Sequence, residues 1–412
     1  MRILYLCHKT PYPPDKGEKI RAYHQIVHLA RRHEVHLVTF GEHPSDPAHA
    51  EALRRICATV EVVDRPRAAV PRAALWALLS GRSLSVAAYE SAAFRTAVKA
   101  RCLESRPDVV LVYTAVMAPH AESIEAPRLL DFVDVDSEKW RLYGTWMRPP
   151  MSVVYAIEGK RLAAFEERVA ATFEGSVLIS DTEARLLEAR VPGLRVSVIS
   201  NGVDLDYYRP MDRLDGHGSS PTPRAVFVGM MDYFPNCDAA AYFAREILPR
   251  IRAEQSDFEF HVVGRKPTAA VRALGRLPGV TVTGAVPDVR PYLAQAMIAV
   301  APFRIARGIQ NKILEAMASG LPVVGTRLAF QGIHAGEHDG VRAGDDPESF
   351  ARFVLDLIRD PSLRATCGTA ARAYVERHHR WESVGETLEA ALMSVAGAVK
   401  GAEVVPTRGV SW

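Results

Sequence analysis

Short unbroken apolar runs alternate with helical stripes from the first residues of the chain. Residues 3–7 are apolar, 11–17 have loop composition, and Ile20, Tyr23, Val27 and Ala30 recur at helical spacing before residues 35–40 resume a strand-like run. This predicts a β-α-β unit. Further apolar runs at 109–113, 129–133, 177–180 and 196–199, separated by helical or polar stretches, predict a parallel sheet covered by helices. Residues 204–223, with Gly216, Gly218, Ser219, Ser220, Pro221 and Pro223, read as a linker. The pattern then restarts: strands are expected at 225–228, 258–263, 280–283, 298–301 and 323–325. A helical stripe of Ala240, Phe243, Ile247 and Ile251 lies between the first two. The expected fold class is α/β, with two Rossmann-like doubly wound domains. Their spans are 1–205 and 206–380, followed by a C-terminal helix and tail, 381–412, packing back on the first. Helices are expected at 347–358, 362–376 and 381–395.

The chain has 412 residues, 48% hydrophobic and 24% charged, which excludes disordered and fibrous classes. The excess of 51 basic over 48 acidic side chains leaves a net charge of +3, too small for a dedicated nucleic-acid binder, so any anion site is local. Five scattered cysteines with no CxxC pair argue against a disulfide framework or a zinc site. The N-terminus runs directly into a strand without a signal-like segment, and no stretch reaches the roughly 20 apolar residues of a membrane span. The expectation is a cytoplasmic protein, at most peripheral to a membrane. Residues 67–101, which combine Arg72, Arg82, Arg95, Lys99 and Arg101 with Leu75, Trp76, Leu84 and Tyr89, are a candidate for an anionic membrane surface. The plainer reading is helices with solvated arginines.

Residues 301–324 carry the most chemistry: strand, basic glycine loop, helix, glycine stop, strand. A helix beginning near Ile309 would offer unsatisfied backbone N–H groups and a positive dipole end, and Gly308 lets an anion approach the backbone closely. Arg304, Arg307 and Lys312 add cations around the same point, which suits a diphosphate, while Gln310 and Asn311 line the helix start. Glu315, one turn beyond Lys312, is placed to accept from vicinal hydroxyls such as those of a ribose. The alternative is a solvated surface loop.

Residues 312–324 resemble the donor-binding helix of retaining glycosyltransferases of family 4, which share the two-domain GT-B fold. Residues 198–204, followed by Tyr208, Arg209 and Pro210, resemble that family's passage into its second domain. Residues 13–21, 229–233 with Asn236, 288–292 and 307–312 are most similar to the sugar transferases of PEP-CTERM and exosortase exopolysaccharide loci in bacteria. The resemblance implies two domains facing across a cleft and a nucleotide diphosphate-sugar donor. It also implies a glycan or polyprenyl-linked acceptor, transfer with retention, and no cofactor. Two departures stand out: Arg307 occupies the position of the first glutamate of the family's pair, and Met230 and Pro235 stand where an Arg and a Lys usually serve the diphosphate. Compensating cations are then expected from Arg304, Lys312 and Arg265, with Gly229 on the donor side.

In the first half, Gly17 follows the first strand, where a missing side chain lets a ligand approach a helix start; an ordinary loop glycine is the alternative. Asp134 and Asp136 follow the strand at 129–133, and the resemblance puts Asp134 where many relatives carry a His that orients the acceptor. The simpler role for Asp136 is a helix cap. Asp134-Val135-Asp136 matches a bare DxD metal pattern, but it recurs at Asp204-Leu205-Asp206, so no metal site is assigned. Gly216-His217-Gly218 follows no strand and is not a dinucleotide fingerprint. Rival readings are a sugar-nucleotide epimerase or phosphorylase on the same architecture, and a non-catalytic sugar-nucleotide-binding subunit.

Overall fold

Apolar runs that do not alternate must be buried on both faces, and here they build two all-parallel sheets. The computed structural model describes residues 1–41, 46–65, 80–211 and 222–402. One unit comprises residues 1–200 and the stretch from Glu382 on, the other Asn201–Trp381. The first holds β1 (Arg2–Cys7), β2 (Glu34–Gly41), β3 (Thr59–Asp64), β4 (Val109–Tyr113), β5 (Arg128–Val133), β6 (Gly175–Leu178) and β7 (Val196–Val198). They lie in the order β3-β2-β1-β4-β5-β6-β7, every pairing parallel. Its helices are α1 (Gly17–Ala30), α2 (Asp46–Arg54), α3 (Leu84–Ala87), α4 (Ala92–Ser105), α5 (Asp136–Trp146), α6 (Met151–Thr172) and α7 (Asp181–Arg190).

The second unit repeats the plan with β8 (Arg224–Val228), β9 (Glu259–Val263), β10 (Val280–Gly284), β11 (Ile298–Ala301), β12 (Val323–Gly325) and β13 (Val341–Ala343). Their order, β10-β9-β8-β11-β12-β13, is that of the dinucleotide-binding fold, with the switch point between β8 and β11. Helices α8 (Phe234–Tyr242), α9 (Leu248–Glu254), α10 (Ala269–Leu274), α11 (Arg290–Gln295), α12 (Asn311–Ala318), α13 (Pro347–Arg359) and α14 (Pro361–His378) cover it. The helix α15 (Trp381–Ala402) follows and returns to the first unit. There Glu389 meets His33 at 2.9 Å, His28 at 3.4 Å and Arg32 at 3.4 Å. Gly385 lies so close to His28 that a Cβ would stand 2.2 Å from the ring.

Several elements differ from expectation for local reasons. The sixth strand starts at Gly175 and ends at Leu178, because Ser180 leaves the sheet to cap α7, accepting from the Glu183 N–H. The stripe from Ala240 to Ile251 is one buried face interrupted by a π-helical turn at Phe243–Ile247. The partly exposed β3 and the three-residue β13 lacked a long apolar run and were not foreseen. Residues 204–211 are not a free linker: Asp204 Oδ1 accepts from the Asp206 and Tyr207 N–H groups, making an Asx turn of the second DxD. Arg372 of α14 clasps that turn through the carbonyls of Leu205 and Tyr208. Gly216-His217-Gly218 lies outside the described residues, as do Arg72, Leu75 and Trp76 of the basic stretch.

At the centre of the first unit Arg21, 1% exposed, pairs with the fully buried Asp131 at 2.9 Å. It also donates to the carbonyls of Ile199 and Ser200, both at 3.0 Å. Gln25 donates to the same carboxylate at 2.7 Å and accepts from the Tyr5 hydroxyl at 2.6 Å. Removing one partner of such a pair strands the other charge. Arg21→Met should therefore cost about 3–5 kcal/mol, read as a lowered midpoint of the chain's first thermal transition. An unchanged midpoint would show that the network does not hold this unit together.

Candidate functional site

In a parallel sheet the chain leaves every strand on the same edge, so loops with chemistry gather at the carboxyl ends. In the second unit the ends of β8 and β9 come together at Gly229 and Gly264. Gly264 has φ +153, and a Cβ there would stand 1.7 Å from the Gly229 carbonyl oxygen, so only glycine fits. Gly229 in turn lies against Asn236, whose amide nitrogen would be 2.7 Å from an added Cβ. That amide donates to the Met230 carbonyl at 2.9 Å.

Lys312 completes this cluster. Its ammonium donates to Asn236 Oδ1 at 2.7 Å and sits 4.7 Å from the centre of the Phe303 ring and 5.4 Å from that of Phe227. The residue is half-buried at the β8–β11 switch point, and burial pulls its pKa down to about 8, with Glu315 acting in the opposite sense. Glu315, also half-buried, is pushed up to about 7 by burial, while Lys312 and the Tyr208 hydroxyl pull it down.

The helix carrying both residues begins at Asn311, two positions later than expected, because Gly308 at φ +60 turns the chain and Gln310 takes the N-cap position. Gln310 does not cap with its side chain; its amide donates to the Arg307 carbonyl at 3.0 Å. Ile309 packs against the core, and Asn311 Oδ1 accepts from Asn201 at 2.8 Å. A helix start without a side-chain cap keeps N–H groups available to an anion. At the other end Gly320, φ +74, closes a Schellman motif: its N–H donates to Met317 and that of Leu321 to Ala316.

The cations grouped in the sequence take different partners in the fold. Arg304 is exposed, forms an ion pair with Asp238 and lies 4.8 Å from the Tyr242 ring centre. Lys312 holds Asn236 and Arg304 holds Asp238, two residues apart and thus roughly 200° around α8. The two cations thus take partners on different faces of α8. Arg307 and Arg265 are half-buried; the Arg265 carbonyl accepts from the Met231 N–H at 2.9 Å.

In the first unit Gly17 is the exposed first residue of α1, with Lys16 at the N-cap position. Asp134 follows β5 through a strained turn. The β-branched Val133 takes φ +67, and the Asp134 N–H donates back to Phe132 at 2.9 Å, a γ-turn of the rarer hand. This places Asp134 Oδ1 out of solvent without a hydrogen-bond partner, and burial, helped by Glu183 and Asp136, pushes the carboxyl up to about 7. Asp136 is not a cap but the first residue inside α5, 3.7 Å from Lys139. The α5 start is satisfied by acids the sequence reading missed: Glu183 accepts from Val135 N–H at 2.9 Å, and the buried Glu166 from Ser137 N–H at 3.1 Å. Among the described residues no three His, Cys, Asp or Glu side chains gather as metal ligands.

The sequence reading also missed Arg372, whose guanidinium donates to the carbonyls of Ala318 and Tyr208, both at 2.6 Å, so fixing the tyrosine that reaches Glu315. Its signal is only a lone arginine on a helical stripe.

Residues 222–360, which span this cluster, match the family model described as Glycosyl transferases group 1. The whole chain aligns with sucrose-phosphate synthase from Thermosynechococcus elongatus at a TM-score of 0.70 and 16% identity, covering 97% of this chain and 100% of that one. It aligns with Anabaena HepE, solved with UDP and glucose, at 0.65 and 15%, covering 96% and 100%. The fold is GT-B. D-inositol 3-phosphate glycosyltransferase of Mycolicibacterium paratuberculosis is 28% identical over 250 residues, 57% of this chain and 55% of that protein, so the chain spans about half the length of this curated relative. In this GT-B chain the switch point between β8 and β11 thus carries Lys312 and Glu315 one turn apart on a helix inside the matched segment.

Because the Tyr208 hydroxyl favours the ionised form of Glu315, Tyr208→Phe should move the Glu315 titration upward and cost about 1 kcal/mol of stability. Carboxyl ¹³C NMR titration checks this; a downward or absent movement would remove Tyr208 from the site.

Proposed function

We propose that the protein is a glycosyltransferase that moves a sugar from a nucleotide diphosphate-sugar to a hydroxyl of a glycan or lipid-linked acceptor, with retention. The observation that carries the reading is the half-buried Lys312 and Glu315 at the switch point, on a helix whose start carries no side-chain cap. The family match over 222–360, the similarity to an inositol 3-phosphate glycosyltransferase and the UDP and glucose in the HepE structure support it. The resemblance of residues 13–21, 229–233 with Asn236, 288–292 and 307–312 to exopolysaccharide-locus transferases supports a bacterial exopolysaccharide made on the cytoplasmic side as the product.

In this reading the anomeric C–O bond to the diphosphate breaks while a new C–O bond forms to the acceptor oxygen, whose proton passes to the departing phosphate. Lys312 and the first N–H groups of α12 take up the negative charge of the leaving diphosphate. Glu315 accepts from the ribose hydroxyls. The main-chain atoms at Gly229 and Gly308 leave room for phosphate, and Arg307 and Arg265 supply further positive charge. Asp134, with its unpartnered oxygen, is the first unit's candidate for an acceptor hydroxyl, and Asp136 lies beside it in sequence.

Lys312→Ala removes a charge-assisted contact worth roughly 1.5–3 kcal/mol, or about 10- to 150-fold in affinity. Calorimetry should show a large loss for UDP or GDP and little for the nucleosides. Glu315→Gln should weaken the ribonucleotide but not its 2′,3′-dideoxy analogue. Normal donor binding by both folded variants would place the donor elsewhere.

The same pair sets a pH window. Binding requires Glu315 ionised and Lys312 protonated, so affinity should climb as pH rises through about 7 and fall as it rises through about 8. Glu315→Gln should abolish the acidic limb. A flat profile from pH 6 to 9, on the order of the range these groups span, would separate donor binding from this pair.

A further inference from the structure

The hairpin of α5 and α6 carries a surface that the donor site does not explain. Its two helices pack through glycines: a Cβ at Gly159 would stand 3.1 Å from the Ser137 carbonyl oxygen, and one at Gly144 3.3 Å from that of Ser152. Trp140, Tyr143 and Tyr155 fill the space between them, with ring centres 5.3 to 6.3 Å apart. The hairpin therefore has its own interior. Yet Trp146, Met151, Val153 and Ile157 remain outside it, at 42%, 43%, 55% and 44% exposure. They occupy the tip and the outer stripe of α6, with exposed Pro149 and Pro150 between the helices.

The acids of α5 lie at its start, away from the tip, where Asp136 meets Lys139 at 3.7 Å and Glu138 meets Arg141 at 2.7 Å. From Lys139 to Phe165 the cations are Lys139, Arg141, Arg148, Lys160 and Arg161, and the sole acid is Glu158. Glu158 is buried, accepting from the Ser83 hydroxyl at 2.6 Å and from the N–H groups of Leu84 at 2.7 Å and Ser85 at 2.9 Å. Glu158 is thus turned inward, while Arg148 and Lys160 are exposed; Arg141 keeps 73% of its side chain in solvent but is paired with Glu138 at 2.7 Å. An apolar ridge with a Trp at its tip and cations along its sides has the composition of an element lying in a lipid headgroup layer. The stretch at 80–101 differs in its apolar part, since Phe94 is buried; Arg82 there pairs with Glu90, and Arg101 with Glu104 and Glu61.

We propose that the α5–α6 hairpin docks the protein on an anionic lipid bilayer, its apolar tip entering the headgroup region and its cations meeting lipid phosphates. This does not rest on the donor-site reading, since the hairpin contains neither Lys312 nor Glu315.

The test is flotation of the full chain with vesicles of phosphatidylglycerol and phosphatidylcholine, against pure phosphatidylcholine, at low salt and at about 0.5 M salt. The parent should float with the anionic vesicles and be released by salt. Arg148→Glu with Lys160→Glu should weaken partitioning at least about fivefold per cation. Trp146→Ser with Ile157→Ser should weaken it about tenfold or more. Both should keep the parent's circular dichroism and melting curve. Arg95→Glu with Lys99→Glu should float as the parent does. Absence of parent flotation, parent-like flotation of both hairpin variants, or loss only in the 95/99 variant would overturn the proposal. So would a parent dimer that the hairpin variants abolish without any vesicle binding.

Discussion

The buried pair of Arg21 and Asp131 ties together three parts of the first unit that are far apart in sequence. It joins α1 to β5 and, through the carbonyls of Ile199 and Ser200, to the chain leaving the last strand. A guanidinium withdrawn from water is costly, and the cost is offset only when its donors find acceptors. Here the acceptors are a carboxylate and two main-chain oxygens, and Gln25 and Tyr5 complete the hydrogen bonding of the carboxylate side. The same carboxylate accepts from the Val133 N–H at 3.0 Å. The turn that aims Asp134 is thereby anchored on the structural network beneath it, which is how a β-branched residue can be held at positive φ.

Backbone conformations that are unfavourable for side chains stand at both ends of the strands in both units. Thr114 follows β4 at φ 72, Val133 ends β5, Gly264 follows β9 and Gly308 precedes α12. The opposite edges carry them too, at Arg106 before β4 and at Gly279, Gly320 and Gly340 before β10, β12 and β13, where the incoming segment must end. At the carboxyl ends each loop must turn sharply from a strand toward a helix start, and close approach of backbone to backbone, as at Gly229 and Gly264, leaves no volume for side chains.

How much of this was legible depended on the length of each signal. Strands buried on both faces, such as Ile298–Ala301, announce themselves by unbroken apolar runs, and β3 and β13 do not because they are short or partly exposed. The glycine loop and helix at 308–320 were readable because Gly308 and Gly320 bracket an amphipathic stretch. What spacing could not show is which partner a long side chain selects: Arg304 reaches Asp238 and Lys312 reaches Asn236, although both cations lie close in sequence. The acids that close α5, Glu166 and Glu183, lie on later helices, and no local pattern links them to Val135 or Ser137.

The partners of Lys312 and Glu315 explain why these two residues, rather than the many other charges of the chain, have the character of a site. A buried cation held directly by a carboxylate is neutralised and gains little from a further anion. Lys312 is instead hydrogen-bonded to the neutral amide of Asn236 between two ring faces, with Glu315 nearby as an opposite charge, and Glu315 is favoured in its ionised form by Lys312 and by the Tyr208 hydroxyl. These contacts fix direction and cancel the charges only in part. In a half-buried setting, where the effective dielectric is well below that of water, such an ammonium still interacts strongly with an incoming phosphate. The shifts of both groups toward neutrality measure the same tension: the protein holds two charges that its own atoms only partly stabilise, and a ligand bearing phosphate and hydroxyl groups would complete the stabilisation.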